Sequence, residues 1–199
     1  MRGAGEALRA GAALEPETRE RLLDVISRAT DQLGRLADDI LATARLDTDR
    51  LDLVIAPCDA GAVAEEVAEA ARTASSGRSI SVGIADGLPP AAADAGRLRQ
   101  VLANLVDNAL LHGSGAVELR VEEAEGRVRI AVSDAGPGIP AEQRERIFEP
   151  FERLAAAEVP GSGLGLHLAR ELVDGMGGDL SVADAPGGGT TFTVSLLAA

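Results

Sequence analysis

Two asparagines on one predicted helix have the type and spacing to do chemistry. Asn104 and Asn108 stand four positions apart in residues 97–112, whose apolar spacing predicts a helix, so the two side chains share one face. An amide oxygen is a hard ligand that suits Mg²⁺, which usually keeps waters and substrate phosphates in its shell. The pair therefore indicates a metal and phosphate site, although asparagines at this spacing also occur as solvated or capping residues.

A second cluster, Asp134-Ala-Gly136-Pro-Gly138, directly follows a predicted strand. Glycines allow the backbone to approach a flat ligand, and a carboxylate can accept a hydrogen bond from an exocyclic amine such as that of adenine. The alternative interpretation is a tight turn that the aspartate stabilises.

A third cluster, Gly161-Ser-Gly163-Leu-Gly165-Leu166, opens a predicted helix, and the unpaired N–H groups of a helix start can bind phosphate. Three familiar phosphate loops do not fit it. The Walker A loop and the protein-kinase strand both need a lysine, and this chain has none. The dinucleotide-binding fingerprint has the spacing G-x-G-x-x-G directly after a strand, whereas the spacing here is G-x-G-x-G.

Two further segments complete the pattern. Phe148-Glu-Pro-Phe151-Glu-Arg153 precedes the third cluster, and Gly187-Gly-Gly-Thr190-Thr191 lies between two predicted strands. The second of these is also typical of a hairpin turn.

Taken in their order along the chain, the five segments resemble the N, G1, F, G2 and G3 boxes of the histidine-kinase catalytic domain. Gyrase B, heat-shock protein 90 and the MutL repair proteins share this ATP-binding fold. The resemblance covers roughly residues 51–199 and implies ATP and Mg²⁺ as ligands. It implies that Asn108 holds Mg²⁺, that Asn104 assists at the metal and phosphates, and that Asp134 reads the adenine amino group.

The same resemblance assigns the remaining ATP-binding residues. Gly136 and Gly138 would lie beneath the adenine ring. The residues that border a mobile lid would be Phe148, Phe151 and Arg153, and the glycines of the third cluster would meet the phosphates. The further residues implied in nucleotide binding are His112, Phe148, Phe151, Arg153, Gly161, Gly163, Gly165, Leu166, Thr190 and Thr191. The family often has a basic residue where Leu111 stands, which predicts weak affinity for ATP.

Asn104 also separates two chemistries within this superfamily. The ATPase branches have a glutamate there, and an amide cannot act as a general base toward water. The resemblance therefore implies a kinase that transfers the γ-phosphoryl group of ATP to a histidine and then to an aspartate in the receiver domain of a response regulator. The alternatives are a stand-alone ATP-binding regulator, either anti-sigma-like or a pseudokinase, and an ATPase of the same fold.

The segment before residue 51 predicts helices. Apolar residues recur at three- and four-residue steps over 17–46, and the segment resembles the second helix of the kinase dimerisation hairpin. The phosphoacceptor box of that hairpin is expected before Gly3, and neither His112 nor His167 replaces it. We therefore expect a partial hairpin over 1–48, weak homodimerisation and no autophosphorylation of the chain as given. The alternative is one helix packed on the catalytic domain.

The rest of the chain alternates short strands and helices. Together they predict an α/β two-layer sandwich with a mixed, largely antiparallel sheet covered by helices, preceded by the α-helical hairpin. The predicted strands are 51–56, 79–85, 116–121, 127–132, 180–183 and 190–196, and the predicted helices are 60–74, 97–112 and 163–176.

Composition excludes several function classes. The net charge is −13, which disfavours binding to nucleic acid or anionic lipid. Cys58 is the only cysteine, which fits a reducing cytoplasm. No apolar run is long enough to span a bilayer, so we expect a cytoplasmic location, and the resemblance allows an inner-membrane anchor elsewhere in the full-length protein.

Overall fold

The computed structural model describes residues 52–75, 77–152 and 163–199. The predicted hairpin of residues 1–48 and two predicted site residues, Arg153 and Gly161, lie outside the described residues. Within the described part, no helix is long and apolar enough to cross a membrane.

Seven strands and three helices make up the described part. The strands are β1 (Ala56–Cys58), β2 (Ile80–Ile84), β3 (Ala91–Ala93), β4 (Val117–Ala124), β5 (Arg127–Ser133), β6 (Asp179–Asp184) and β7 (Thr190–Leu197). The helices are α1 (Ala60–Ala74), α2 (Ala95–His112) and α3 (Gly165–Gly175), and two short 3-10 turns span Ala141–Gln143 and Arg146–Phe148.

Five strands form the main sheet in the order β2-β4-β5-β7-β6. The β2–β4 pair is parallel and the three other pairs are antiparallel, which confirms the predicted mixed, largely antiparallel sheet. The register sets Ser133 opposite Glu118 on one side and opposite Thr191 on the other, so β4, β5 and β7 meet at the end of β5 that leads into Asp134.

Side chains alternate along the strands because one face of the sheet is covered by helices. In β4 the side chains of Val117, Leu119 and Val121 are buried, and those between them are exposed. Helix α2 packs between α1 and α3 above this face. This arrangement confirms the two-layer sandwich.

The prediction of a strand over 51–56 is wrong. Residues 52–55 form no strand, and β1 instead lies at Ala56–Cys58, where it pairs with the unpredicted strand β3. The alternation that suggested a strand does not reflect burial, because Val54 is 73% exposed. Strand β3 was missed because three consecutive alanines carry no alternating pattern.

Aspartate caps fix where α1 and α2 begin. Asp59 accepts a hydrogen bond from the backbone N–H of Ala62, and Asp94 accepts one from that of Arg97. Such caps satisfy N–H groups that the first turn of a helix leaves without partners. The cap at Asp94 fixes the start of α2, the helix that carries both asparagines.

Candidate functional site

Helix α2 presents both asparagines at half-buried positions. The side-chain Nδ2 of Asn104 donates a hydrogen bond to the backbone oxygen of Gly165 at 3.1 Å. This bond joins α2 to the first residue of α3 and leaves the amide Oδ1 of Asn104 as the group that can accept or coordinate. Two of the clusters found in the sequence are therefore in direct contact.

The start of α3 has the features of an anion site. The helix begins without a capping side chain, so its first N–H groups lack the usual partner from a side chain. At Gly165 a Cβ atom would lie 3.8 Å from Cγ of Asn104, which leaves room for little else between the two helices. Leu166 is half-buried in the first turn of α3.

A backbone hydrogen bond joins Phe151 to Gly163, two residues before α3 begins. The N–H of Phe151 donates to the oxygen of Gly163 at 3.0 Å. Both residues have positive φ, and a Cβ at Gly163 would lie 2.8 Å from Glu152 O, so glycine is required there. The ring of Phe151 is 70% exposed.

Phe148 is buried rather than open to solvent. Its ring packs edge-on against Phe192 with centroids 6.3 Å apart, and the guanidinium of Arg170 lies 4.8 Å from its centroid. His167 Nδ1 lies 3.1 Å from the Phe148 oxygen. These contacts hold the second 3-10 turn on α3.

Asp134 is a buried carboxylate that follows β5. It is 7% exposed, and its Oδ1 accepts a hydrogen bond from Gly136 N at 2.6 Å. Its own N–H donates to the oxygen of Thr190 at 2.9 Å. Asp134 therefore lies in the predicted turn and ties it to the start of β7.

Three glycines surround Asp134. A Cβ at Gly113 or at Gly136 would lie 2.6 Å from Oδ1 of this aspartate, and one at Gly189 would overlap the Asp134 backbone oxygen. Gly138, with φ of +78°, also packs close to the backbone of Gly189. The glycines allow three backbone segments to converge on one carboxylate, which is how the Asp134 cluster meets the segment from Gly187 to Thr191.

Helix α2 connects the two groups of residues. Its middle contacts Gly165, and at its end the oxygen of His112 lies 3.4 Å from the position a Gly136 Cβ would take. His112 itself is exposed at the last turn of the helix. Thr190 is buried, and Thr191 Oγ1 lies 2.9 Å from Ser133 Oγ.

The residues present fit a magnesium ion held largely by a nucleotide. Among the described residues no group of three or more histidine, cysteine, aspartate or glutamate side chains could form a dedicated metal cage. Asn104 and Asn108 instead offer two amide oxygens on one face of α2. Mg²⁺ usually keeps several waters and binds substrate phosphates, and one amide oxygen fits among such oxygen ligands.

Sequence reasoning missed the turn that follows α2. Gly113 caps α2, and Ser114 makes two hydrogen bonds with Ala135, from Ala135 N at 3.1 Å and from Ser114 Oγ to Ala135 O at 2.5 Å. A glycine directly after a predicted helix is a recognised stop signal and was the available hint. Its contact with Asp134 depends on a residue twenty-one positions away and has no local sequence signal.

Comparisons with known proteins agree with this geometry. Residues 93–199 match the family model described as "Histidine kinase-, DNA gyrase B-, and HSP90-like ATPase". The sensor protein KdpD of Mycobacterium tuberculosis is 37% identical over 94% of this chain and 22% of its own length.

Solved structures show the same fold. Full-length ShkA in complex with AMPPNP superposes with a TM-score of 0.76 at 34% identity, over 94% of this chain and 41% of ShkA. The ATP-binding domain of PrrB from Mycobacterium tuberculosis gives a TM-score of 0.62 at 26% identity, over 74% of this chain and 98% of that domain.

Proposed function

We propose a function for this chain as a member of the family of histidine kinase-, DNA gyrase B- and HSP90-like ATPases and as the ATP-binding catalytic part of a sensor histidine kinase. The full-length protein transfers the γ-phosphoryl group of ATP to a histidine. The chain spans 22% of the length of the KdpD sensor, so the activity of the whole protein is inferred from relatives. The observation that carries the proposal is that α2 contacts both Gly165 and the Asp134 turn.

The nucleotide would lie along α2. Asp134 accepts a hydrogen bond from the adenine amino group, and the glycines around it provide a surface without side chains for the ring. The phosphates lie toward the start of α3, where the N–H groups of the first turn donate to them. Thr190 and Thr191 belong to the adenine side of the site, and Phe151 and Gly163 to its phosphate side.

Asn108 would hold Mg²⁺ through its amide oxygen, and Asn104 would assist. When bound, Mg²⁺ neutralises phosphate charge that the acidic protein would otherwise repel. The amide of Asn104 is fixed by Gly165 and cannot take a proton from water at neutral pH. The residues of this site thus bind and orient the nucleotide, which favours transfer to a protein nucleophile over hydrolysis.

We propose that neither histidine of the catalytic part is the phosphoacceptor. His167 is half-buried, with its Nδ1 near the oxygen of Phe148, and His112 is the last residue of a helix whose side faces the proposed site. The acceptor would be a histidine on a helical dimerisation domain. An aspartate in the receiver domain of a response regulator would take the phosphoryl group next.

Transfer in trans tests this proposal. The chain is incubated with γ-labelled ATP, Mg²⁺ and a separately purified kinase dimerisation domain that carries its phosphoacceptor histidine. We expect acid-labile, base-stable label on the added domain and none on this chain, and Asn108→Ala should abolish it. Release of free phosphate without label would instead support an ATPase, and nucleotide binding with neither outcome would support an ATP-binding regulator. Label at His112 or His167 would contradict the assignment of the acceptor.

A further inference from the structure

Arg78, in the loop before β2, donates hydrogen bonds to backbone oxygens at the end of α2 and in the turn that follows it. Its Nη1 lies 3.1 Å from Ala109 O, 2.8 Å from Leu110 O and 3.3 Å from Gly113 O. Its Nε donates to Gly115 O at 2.9 Å. One side chain from a distant loop thus holds both the last turn of α2 and the turn that follows it.

The chemistry of this contact is specific to arginine. The last carbonyl groups of a helix lack intrahelical partners and carry partial negative charge, which a cation stabilises. The guanidinium is a planar group with several donors in a fixed fork, so it can serve oxygens on two sides at once. Arg78 is half-buried; its Nη2 is shielded from solvent without a hydrogen-bond partner, and Nη1 and Nε make the contacts with the backbone oxygens.

The turn that Arg78 holds leads directly to the proposed adenine contact. Between Gly113 and Gly115 lies Ser114, whose two hydrogen bonds with Ala135 tie the turn to the residue after Asp134. A Cβ at Gly113 would lie 2.6 Å from Cγ of Asp134, so the turn and the carboxylate are in close contact. A shift of the turn by a fraction of an ångström would therefore move or crowd Asp134.

We propose that Arg78 is a positioning residue for nucleotide recognition, which it serves by fixing the end of α2 and, through Ser114 and Ala135, the place of Asp134. This inference rests on the proposed function of Asp134. Arg78 does not itself contact the base in this account. Loss of the Arg78 side chain should reduce the affinity for adenine nucleotides. It should also reduce the preference for adenine over hypoxanthine, which lacks the amino group that donates a hydrogen bond to Asp134.

The test is calorimetric titration with ADP and with IDP, with Mg²⁺ present, at a temperature where circular dichroism shows each variant to be folded. Arg78→Ala should raise the Kd for ADP by about tenfold, as expected when a recognition group is displaced by a small distance. It should also lower the ratio of the Kd for IDP to the Kd for ADP. Arg78→Lys keeps the charge but loses the fork, and should fall between Arg78→Ala and the unsubstituted chain.

Arg72→Ala is the matched control. Arg72 is also partly buried and its Nε donates to the backbone oxygen of Ile80 at 2.9 Å, but it ties α1 to β2 away from the proposed site. Arg72→Ala removes the same charge and one hydrogen bond to a backbone oxygen, so it should lower stability without changing the ratio of the IDP and ADP dissociation constants.

Several outcomes would overturn the inference. A folded Arg78→Ala chain, or a folded Arg78→Lys chain, with unchanged ADP affinity and unchanged base preference would show that Arg78 is not a positioning residue. Equal losses in Arg78→Ala and Arg72→Ala would show a general effect of charge or stability. If the unsubstituted chain binds neither nucleotide, the proposed function fails and this inference fails with it; if it binds ADP over IDP and only the Arg78 effect is missing, the proposed function stands alone.

Discussion

Asp134 is a buried carboxylate that three glycines approach closely. Gly113, Gly136 and Gly189 each come so close to it that a side chain at any of them would collide with it. Its Oδ1 accepts one backbone N–H, and a buried charged acceptor with few partners gains from a further donor. This gain is the physical reason for placing the adenine amino group at Asp134.

Asp134→Asn should weaken ADP binding by about 1–3 kcal/mol, because it replaces a charge-assisted hydrogen bond by a neutral one. Isothermal titration calorimetry measures the change. Asp179→Asn is the control, because Asp179 is an exposed carboxylate at the start of β6 and its loss changes the net charge equally. Equal affinities for the Asp134→Asn chain and the unsubstituted chain would remove Asp134 from the adenine site.

Asn108→Ala should act on the metal rather than on the base. The unsubstituted chain should bind ADP more tightly with Mg²⁺ than with EDTA, and the variant should lose most of that gain while its binding in EDTA stays the same. Gln100→Ala is the control: it removes an α2 amide whose oxygen accepts a hydrogen bond from Arg97, and it should retain the gain in ADP affinity with Mg²⁺. A full magnesium effect in Asn108→Ala would place the ion elsewhere.

At the scale of elements, the sequence predicts structure well where periodicity and burial coincide. Helices α1, α2 and α3 and the hairpins β4–β5 and β6–β7 have clear apolar spacing or turn residues, and all are confirmed. The small β1–β3 sheet was not predicted, because its register depends on tertiary contacts such as the hydrogen bond from Val54 N to Asp94. The close contacts of Gly113 and Gly189 with Asp134 likewise depend on segments far apart in the chain.

The turn between β6 and β7 offers a matched pair of glycines. Gly187 and Gly189 both have positive φ, but a Cβ at Gly187 meets open space, whereas one at Gly189 would overlap the Asp134 backbone. Gly189→Ala should therefore lower the free energy of unfolding by about 1–3 kcal/mol more than Gly187→Ala, since it adds overpacking to the shared backbone strain. Urea denaturation measures both. Equal losses would mean that the contact with Asp134 is looser than described.

Asp94 joins two elements, since it caps α2 and also accepts a hydrogen bond from Val54 N at 3.0 Å. Asp94→Ala should cost about 0.5–2 kcal/mol of stability, typical of a lost cap, and more than Asp59→Ala, which removes the cap of α1 alone. Urea denaturation of the two variants in parallel is the measurement. A smaller loss for Asp94→Ala than for Asp59→Ala would deny the second bond a role.

The pH dependence has a definite sign. Backbone hydrogen bonds, above all the one from Val54 N, hold the pKa of the Asp94 carboxyl below its ordinary value of 3.8. The contribution of Asp94 is therefore fully present above that value and is lost as the pH falls through the lowered folded-state pKa. The difference in free energy of unfolding between Asp94→Ala and the unsubstituted chain should shrink in strongly acidic buffer. It should stay constant at pH values above the ordinary pKa of an aspartate.

At the scale of the whole molecule, we propose that residues 1–48 form part of a dimerisation hairpin ahead of the catalytic domain of residues 51–199. Each leucine or isoleucine of the 17–46 stripe that becomes fully buried on pairing contributes about 1.5–3 kcal/mol, so we expect a weak, concentration-dependent homodimer. Sedimentation velocity over a wide concentration range should show it, and Leu33→Glu with Leu36→Glu should abolish it. A strict monomer at high concentration would mean that the stripe packs on its own catalytic domain.

We propose that one nucleotide site lies along α2, between the start of α3 and Asp134. An NMR titration of ¹⁵N-labelled chain with Mg·AMPPNP tests it most directly. We predict that amide signals of residues 104–112, 134–136, 138 and 163–166 shift together with one dissociation constant. The signals of the β4–β5 turn at Glu125 and Gly126, at the far end of the strands, should stay unchanged. Saturable shifts clustered elsewhere, or no shifts at millimolar nucleotide, would contradict the account.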